Sequence, residues 1–204
     1  MTIDQPFSRA FEHRDELYVA ALDEFATHGY EQASINAILA RAGMSKGQFY
    51  HHFGGKENLY LALIGVLIER KRAALTEMMR PDDFEQDLFT IFERQIQYGL
   101  EFARMHPTID RFALSVVRER GNPIYAVVLE RFNFNNDALI AGLIERAYQA
   151  GELRVDIPLP FLKQLIAYMF THANDIASLD DAASVEANLR YLMSVMRAGL
   201  SRQQ

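Results

Sequence analysis

Between Gln32 and Lys56 the chain carries three cations, Arg41, Lys46 and Lys56, and no acid. Around Lys46 stand Ser45, Gly47, Gln48, Tyr50 and His51. Lysine offers a point charge to a phosphate, tyrosine and serine offer hydroxyls, and glutamine carries an amide that pairs bidentately with adenine N6 and N7. The chemistry these residues suit is recognition of double-stranded DNA. Plainer roles stand beside it. Ser45 is sufficient as a helix cap, and Ser45-x-x-Gln48 is also a capping box in which the glutamine folds back on the serine. Both readings of Gln48 remain open. Gly47 costs a helix about 1 kcal/mol against alanine, so it is either a tolerated glycine or a point of close backbone approach to DNA. His51 is a candidate for a phosphate or a base, and His52 for packing near the first helix. Adjacent histidines on a helix point about 100° apart, which makes them poor joint metal ligands.

Such donors need a short helix held firmly from behind. Ser34 is placed to cap a helix in which Ile35, Ile38, Leu39 and Ala42 recur at helical spacing, and Gly43 follows as a left-handed stop. Ser45 opens the next helix, with Phe49 and Phe53 on its inner side. That is a helix-turn-helix, whose second helix enters the major groove. A first helix is predicted over 14–27, with Leu17, Ala20, Ala21, Leu22 and Phe25 as its apolar stripe and Gly29 at its end. A fourth is predicted over 56–79, with Leu59, Leu63, Val66, Leu67 and Leu75 facing inward and Pro81 as the stop. Ser34 and Lys56 lie at helix N-termini, where the dipole favours phosphate.

Half of the 204 residues are hydrophobic, enough for a substantial core. Cysteine is absent, so there is no disulfide framework and no thiolate metal site. No apolar run reaches about 18 residues, and the N-terminus lacks a basic segment followed by an apolar one; a cytoplasmic protein with no membrane partner is expected. The net charge is −6, and residues 1–60 hold five Lys/Arg against eight Asp/Glu. The basic footprint usual for a DNA binder is missing at domain level. Screening confines each charge to roughly 10 Å at ordinary salt, so the acid-free stretch can still present a positive face.

The remainder also reads as helix. Asp82 with Glu85 forms a capping-box pattern that opens a fifth helix, which ends at His106-Pro107. A sixth is predicted over 108–120, closed by Gly121-Asn122-Pro123. A seventh spans 124–150, an eighth 161–179 and a ninth 182–200. Asparagine is a weak helix former, so Asn133-Phe134-Asn135-Asn136 inside the seventh is unusual. It marks either a kink beside a pocket or a solvent-facing stretch. The apolar faces of the eighth and ninth helices, Leu162, Leu165, Ile166 and Met169, then Leu189, Leu192, Met193 and Met196, suit either a hairpin packed on its own domain or an interface with a second copy. An enzyme finds little support: there is no G-x-x-x-x-G-K-[ST], H-E-x-x-H, EF-hand or G-x-G-x-x-G pattern, and hence no cofactor or metal is expected. His172 with Asp175 lacks further ligands.

The stretch ILARAGMSKGQFYHHFGGKENLYLAL, with LYVAALDEFATHGYEQASI before it, resembles the DNA-binding signature of the tetracycline-repressor family of bacterial transcription regulators, from about Asp15 to Leu63. The resemblance implies an all-α fold, with a helix-turn-helix DNA-binding domain over 1–55 and a helical ligand-binding and dimerisation domain over 56–204, the fourth helix acting as connector. It implies a homodimer formed through the eighth and ninth helices on a pseudo-palindromic operator, with Tyr50 at the family's phosphate-contacting tyrosine. It also implies a mostly apolar cavity for a small apolar or amphipathic ligand that releases a repressor. Phe89, Phe92, Arg111, Phe112, Asn133, Phe134, Met169 and His172 are candidates for that cavity. Each aromatic among them is equally suited to plain core, and an interaction module or enzyme with a vestigial helix-turn-helix is the alternative. Gly54 and Gly55 depart from the family pattern, in which lysine and a serine cap are common there.

Overall fold

The computed structural model describes residues 6–132, 138–171 and 182–202. After a 3-10 turn at Pro6–Ser8 come α1 (Arg14–Gln32), α2 (Ile35–Ala42), α3 (Lys46–Phe53) and α4 (Lys56–Met78). A second 3-10 turn, Pro81–Glu85, precedes α5 (Leu88–Met105), α6 (Pro107–Arg118), α7 (Pro123–Phe132), α8 (Ala138–Gln149), α9 (Leu159–Thr171) and α10 (Ala182–Leu200). The fold is all-α: among the described residues the only extended pairing is an isolated antiparallel bridge between Leu153 and Ser201.

The chain forms two compact units. One takes in the chain up to Ala74 together with Phe102–Phe132; the other takes in Leu75–Glu101 and the described residues from Ala138 onward. The helix-turn-helix thus shares its unit with α6 and α7. In this unit α1 buries Leu17, Ala20, Ala21, Leu22 and Phe25, the stripe expected from its spacing. Phe49 and Phe53 of α3 stack at 5.8 Å between ring centres. Tyr60 of α4 meets Phe25 at 4.9 Å and Phe112 of α6 edge-on at 5.7 Å. Fully burying one such side chain contributes about 1.5–3 kcal/mol, so these aromatics fix the bed on which α2 and α3 lie.

Helix α1 continues past its predicted end. Gly29 interrupts it at φ 70°, ψ 178°, and one further turn runs to Gln32. The carboxylate of Glu119, just after α6, accepts the Tyr30 N–H at 2.6 Å, and Asn122 donates to Glu119 at 3.0 Å and to Glu31 at 3.2 Å. The backbone group freed by the kink is thereby satisfied from α6.

In the second unit, Leu88, Phe89, Ile91 and Phe92 of α5 form a core with Leu143 and Ile144 of α8, Leu162 and Ile166 of α9, and Leu192, Met193 and Met196 of α10. Helix α5 starts five residues later than the Asp82–Glu85 pattern predicts. Pro81 leads into a 3-10 turn closed by Asp83, whose carboxylate accepts the Arg80 N–H at 2.9 Å, and Asp87 is the true cap, accepting the N–H groups of Phe89 and Thr90. The predicted seventh helix is described as α7 and α8; Asn133, Phe134, Asn135 and Asn136 lie outside the described residues.

Candidate nucleic-acid interface

The turn between α2 and α3 is built from local capping. The Ser34 hydroxyl accepts the Ala37 N–H at 3.3 Å, while its own N–H donates to the buried Glu24 carboxylate of α1 at 2.9 Å. Gly43 takes φ 67° and returns its N–H to Leu39. Buried Met44 then seats the turn, and Ser45 caps α3. Both halves of the capping box are present: the Ser45 hydroxyl accepts the Gln48 N–H at 3.3 Å, and the Ser45 N–H donates to Gln48 Oε1 at 3.1 Å. Gln48 Nε2 donates to Glu12 Oε2 at 3.0 Å.

With Phe49 and Phe53 turned inward, Ser45, Lys46, Gly47, Tyr50 and His51 are exposed on α3 and its cap. Tyr50 keeps 56% of its surface open. A Cβ added at Gly47 would meet nothing nearer than the Ser45 hydroxyl at 4.0 Å, so packing within the protein does not require glycine there. His52 stacks on Phe11 at 4.4 Å, the internal role expected of it. Gly54 ends α3 at φ 71°, a left-handed stop that favours glycine over the family's usual lysine.

The cations of this stretch are placed differently from one another. Lys46 has no acidic partner among the described residues. Arg41 pairs with Asp23 at 2.9 Å, and Arg111 of α6 reaches the same carboxylate at 3.2 Å. The hydrogen bond from Arg41 holds the Asp23 carboxyl below the usual carboxylate range, with Arg111 adding to the effect. Lys56 donates to the Glu31 carbonyl at 2.9 Å and lies over the Tyr30 ring at 5.0 Å, so it closes the end of α1. The groups that take these up, the carboxylates of Glu12 and Asp23 and the backbone carbonyl of Glu31, each reach across from a part of the chain distant in sequence, and their contacts were not legible from spacing.

The second unit contains a cavity of about 290 Å³ between α5 and α10, with Ile96, Leu100, Leu189 and Met193 as apolar lining and Glu93, Glu186 and Arg190 among its polar groups. None of the expected pocket residues that are described lines it. Phe89 and Phe92 are buried in the core of that unit, and Met169 packs half-buried against it. Phe112 belongs to the core of the first unit, where Arg111 also lies, engaged with Asp23. Asn133, Phe134 and His172 lie outside the described residues. Of the expected interface residues, Leu162, Ile166, Leu192, Met193 and Met196 are buried in their own unit, while Leu165, Met169 and Leu189 are half-buried. The exposed large apolar side chains of α9 and α10 are instead Phe161, Tyr168, Tyr191 and Val195. No helix among the described residues is long and apolar enough to cross a membrane.

A tri-helical head that buries the back of a short, capped helix and leaves a lysine, a tyrosine and a histidine open on its front defines a helix-turn-helix DNA-binding protein. Residues 17–63 match the sequence model of the bacterial regulatory proteins of the tetR family. The HTH-type transcriptional repressor AcnR of Corynebacterium glutamicum is 26% identical over 150 residues, 73% of each chain. The HTH-type transcriptional repressor BepR of Brucella suis is 25% identical over 168 residues, 72% of this chain and 71% of that one. A solved TetR family transcriptional regulator from Chloroflexus aurantiacus shares the fold, with a TM-score of 0.67 at 23% identity over 98% of this chain and 99% of that one. The chain is thus similar to TetR family regulators, in sequence over its helix-turn-helix head and in fold over nearly its whole length.

Proposed function

We propose that this chain is a TetR family transcriptional regulator, a cytoplasmic homodimeric repressor whose operator is an inverted repeat and whose release is driven by a small apolar or amphipathic ligand. One observation carries the DNA part: α3 is anchored by Phe49 and Phe53 and presents Ser45, Lys46, Gly47, Tyr50 and His51 to solvent from a stretch without acids. Residues 1–55 would form the reading head, with Ser34 and Ser45 offering helix N-termini to phosphates. Residues 56–204 would bind ligand and pair the subunits, with α4 as connector. One recognition helix reads few bases, and two-fold symmetry doubles the contacts. Phe161 and Tyr168 of α9 with Tyr191 and Val195 of α10 supply an exposed apolar surface for that pairing.

Selection from a random duplex pool with the ligand-free protein tests the reading. The expected product is an inverted repeat with half-sites about one helical turn apart. With that operator, Lys46→Ala is expected to weaken all sequences alike and to reduce the slope of log affinity against log salt by about 1. An unchanged slope removes Lys46 from the phosphate contacts.

The cavity between α5 and α10 is the site we assign to the ligand. Its apolar lining and charged rim suit an amphipathic molecule. Linkage requires such a ligand to bind the DNA-free state more tightly, typically with a coupling of about 1–3 kcal/mol. A ligand that protects the Leu189–Met193 segment from hydrogen exchange should therefore loosen the operator complex roughly 5- to 150-fold. Operator affinity that stays constant at saturating ligand would remove the inducer part of the reading.

A further inference from the structure

The segment ahead of α1 is part of the reading head. Phe7, 9% exposed, packs its ring 5.2 Å from that of Phe53. Phe11 meets Phe53 edge-on at 5.9 Å and stacks on His52 at 4.4 Å. His13 turns the chain into α1 at φ 62°. Between these anchors Glu12 lies open to solvent, with its side chain 72% exposed and its Oε1 3.6 Å from His13 Nε2. Its Oε2 accepts Gln48 Nε2 at 3.0 Å.

Both ends of the Gln48 amide are therefore engaged within the protein. The oxygen takes the Ser45 N–H, and one of the two amide N–H groups goes to the carboxylate. A free glutamine reads adenine by presenting its oxygen and an N–H together. Held in this way, Gln48 keeps one N–H and the second lone pair of its oxygen for the groove, but only in the orientation that Ser45 and Glu12 impose, not the one a free side chain would adopt to meet adenine.

We propose that Glu12 is a specificity-determining positioning residue: together with Ser45 it fixes the orientation of the Gln48 amide and so sets which base edge α3 selects. The proposal rests on α3 being the DNA-reading helix. Glu12 also places a negative charge beside the duplex, which lowers affinity for all sequences. Orientation and charge separate by substitution, since Glu12→Gln keeps an oxygen acceptor and removes the charge, whereas Glu12→Ala removes both.

The experiment is pool selection followed by competition on single-base operator variants, using the full chain as wild type, Glu12→Gln, Glu12→Ala, Gln48→Ala and the Glu12→Ala/Gln48→Ala double variant, each checked for an unchanged melting temperature. Glu12→Gln is expected to bind the operator more tightly with the wild-type base preference intact. Glu12→Ala is expected to change the base preference by about tenfold at one symmetric position per half-site. At that position Gln48→Ala should lose its preference, and the double variant should match Gln48→Ala. Identical base preferences for Glu12→Ala and wild type overturn the proposal and leave only a charge effect. A shift that persists in the Gln48→Ala background also overturns it. Failure of the wild type to enrich any repeat refutes the DNA reading itself, and the proposal with it, before any variant is compared.

Discussion

Replacing Phe49 with alanine is expected to lower the melting temperature by on the order of 10 °C and to abolish operator binding near that of growth. Phe49 is fully buried at the middle of α3, stacked on Phe53. Truncating a buried phenylalanine costs about 3–5 kcal/mol, because the lost transfer energy is joined by a cavity that the surroundings fill only partly. Whole domains are stable by about 5–15 kcal/mol, so the loss is a large fraction of the total. For a chain of this size each kcal/mol moves the midpoint by roughly 2–4 °C. Helix α3 has only eight residues, too few for a stable isolated helix, so it depends on this packing. Differential scanning calorimetry with a parallel binding titration checks both effects. A midpoint within a degree or two of wild type would show that α3 is held by something other than this aromatic bed. Phe49→Leu should recover much of the loss, because it restores most of the buried volume.

The second large effect is expected at the kink of α1. At φ 70° and ψ 178° Gly29 occupies a region populated almost only by glycine, and a side chain there costs about 1–3 kcal/mol in backbone strain. Gly29→Ala would also place its Cβ 2.8 Å from Glu119 Oε1, the atom that accepts the Tyr30 N–H. Moving that carboxylate leaves a partly buried N–H without its acceptor, at a cost of about 1–3 kcal/mol. The sum, about 2–6 kcal/mol, should appear as a lower denaturant midpoint with an unchanged slope. A double-mutant cycle separates the two parts. In a Glu119→Ala background the clash is gone, so Gly29→Ala should cost only its strain. Full additivity of the two substitutions would mean that Glu119 does not support the kink.

The elements that positioned themselves by local chemistry were legible in the sequence. Ser34, Gly43 and Ser45 cap what their spacing says they cap, and the apolar stripe of α1 is buried residue for residue. Gly29 was readable as an end of regular helix; the extra turn to Gln32 was not, because its support comes from Glu119, 89 residues from Tyr30 in sequence. The start of α5 misled for a related reason. Asp82 and Glu85 stand at capping-box spacing, but Pro81 directs those residues into a 3-10 turn, and Asp87 caps the helix instead. Periodicity likewise marked the apolar faces of α9 and α10 without saying what covers them. Leu162, Ile166 and Met193 are covered by α5 and α8 of the same chain, and the surface left open carries Tyr168 and Tyr191. At the reading face the residue types on α3 were evident, whereas the carboxylate that holds Gln48 arrives from a segment whose aromatic anchors have no periodicity to reveal them.

The commitment of Arg41 to Asp23 and of Lys56 to the end of α1 bears on how the protein finds its target. Counterion release, and with it the lifetime on arbitrary sequence, scales with the number of phosphates a protein neutralises. Under the proposed function, a head in which Asp23 already neutralises Arg41 would make short visits to unrelated duplex, slide little, and reach its operator chiefly from solution. Few copies would then be stored along the chromosome. Operator occupancy would then follow the free dimer concentration closely, so a change in synthesis or in ligand level would reach the promoter without first draining a reservoir.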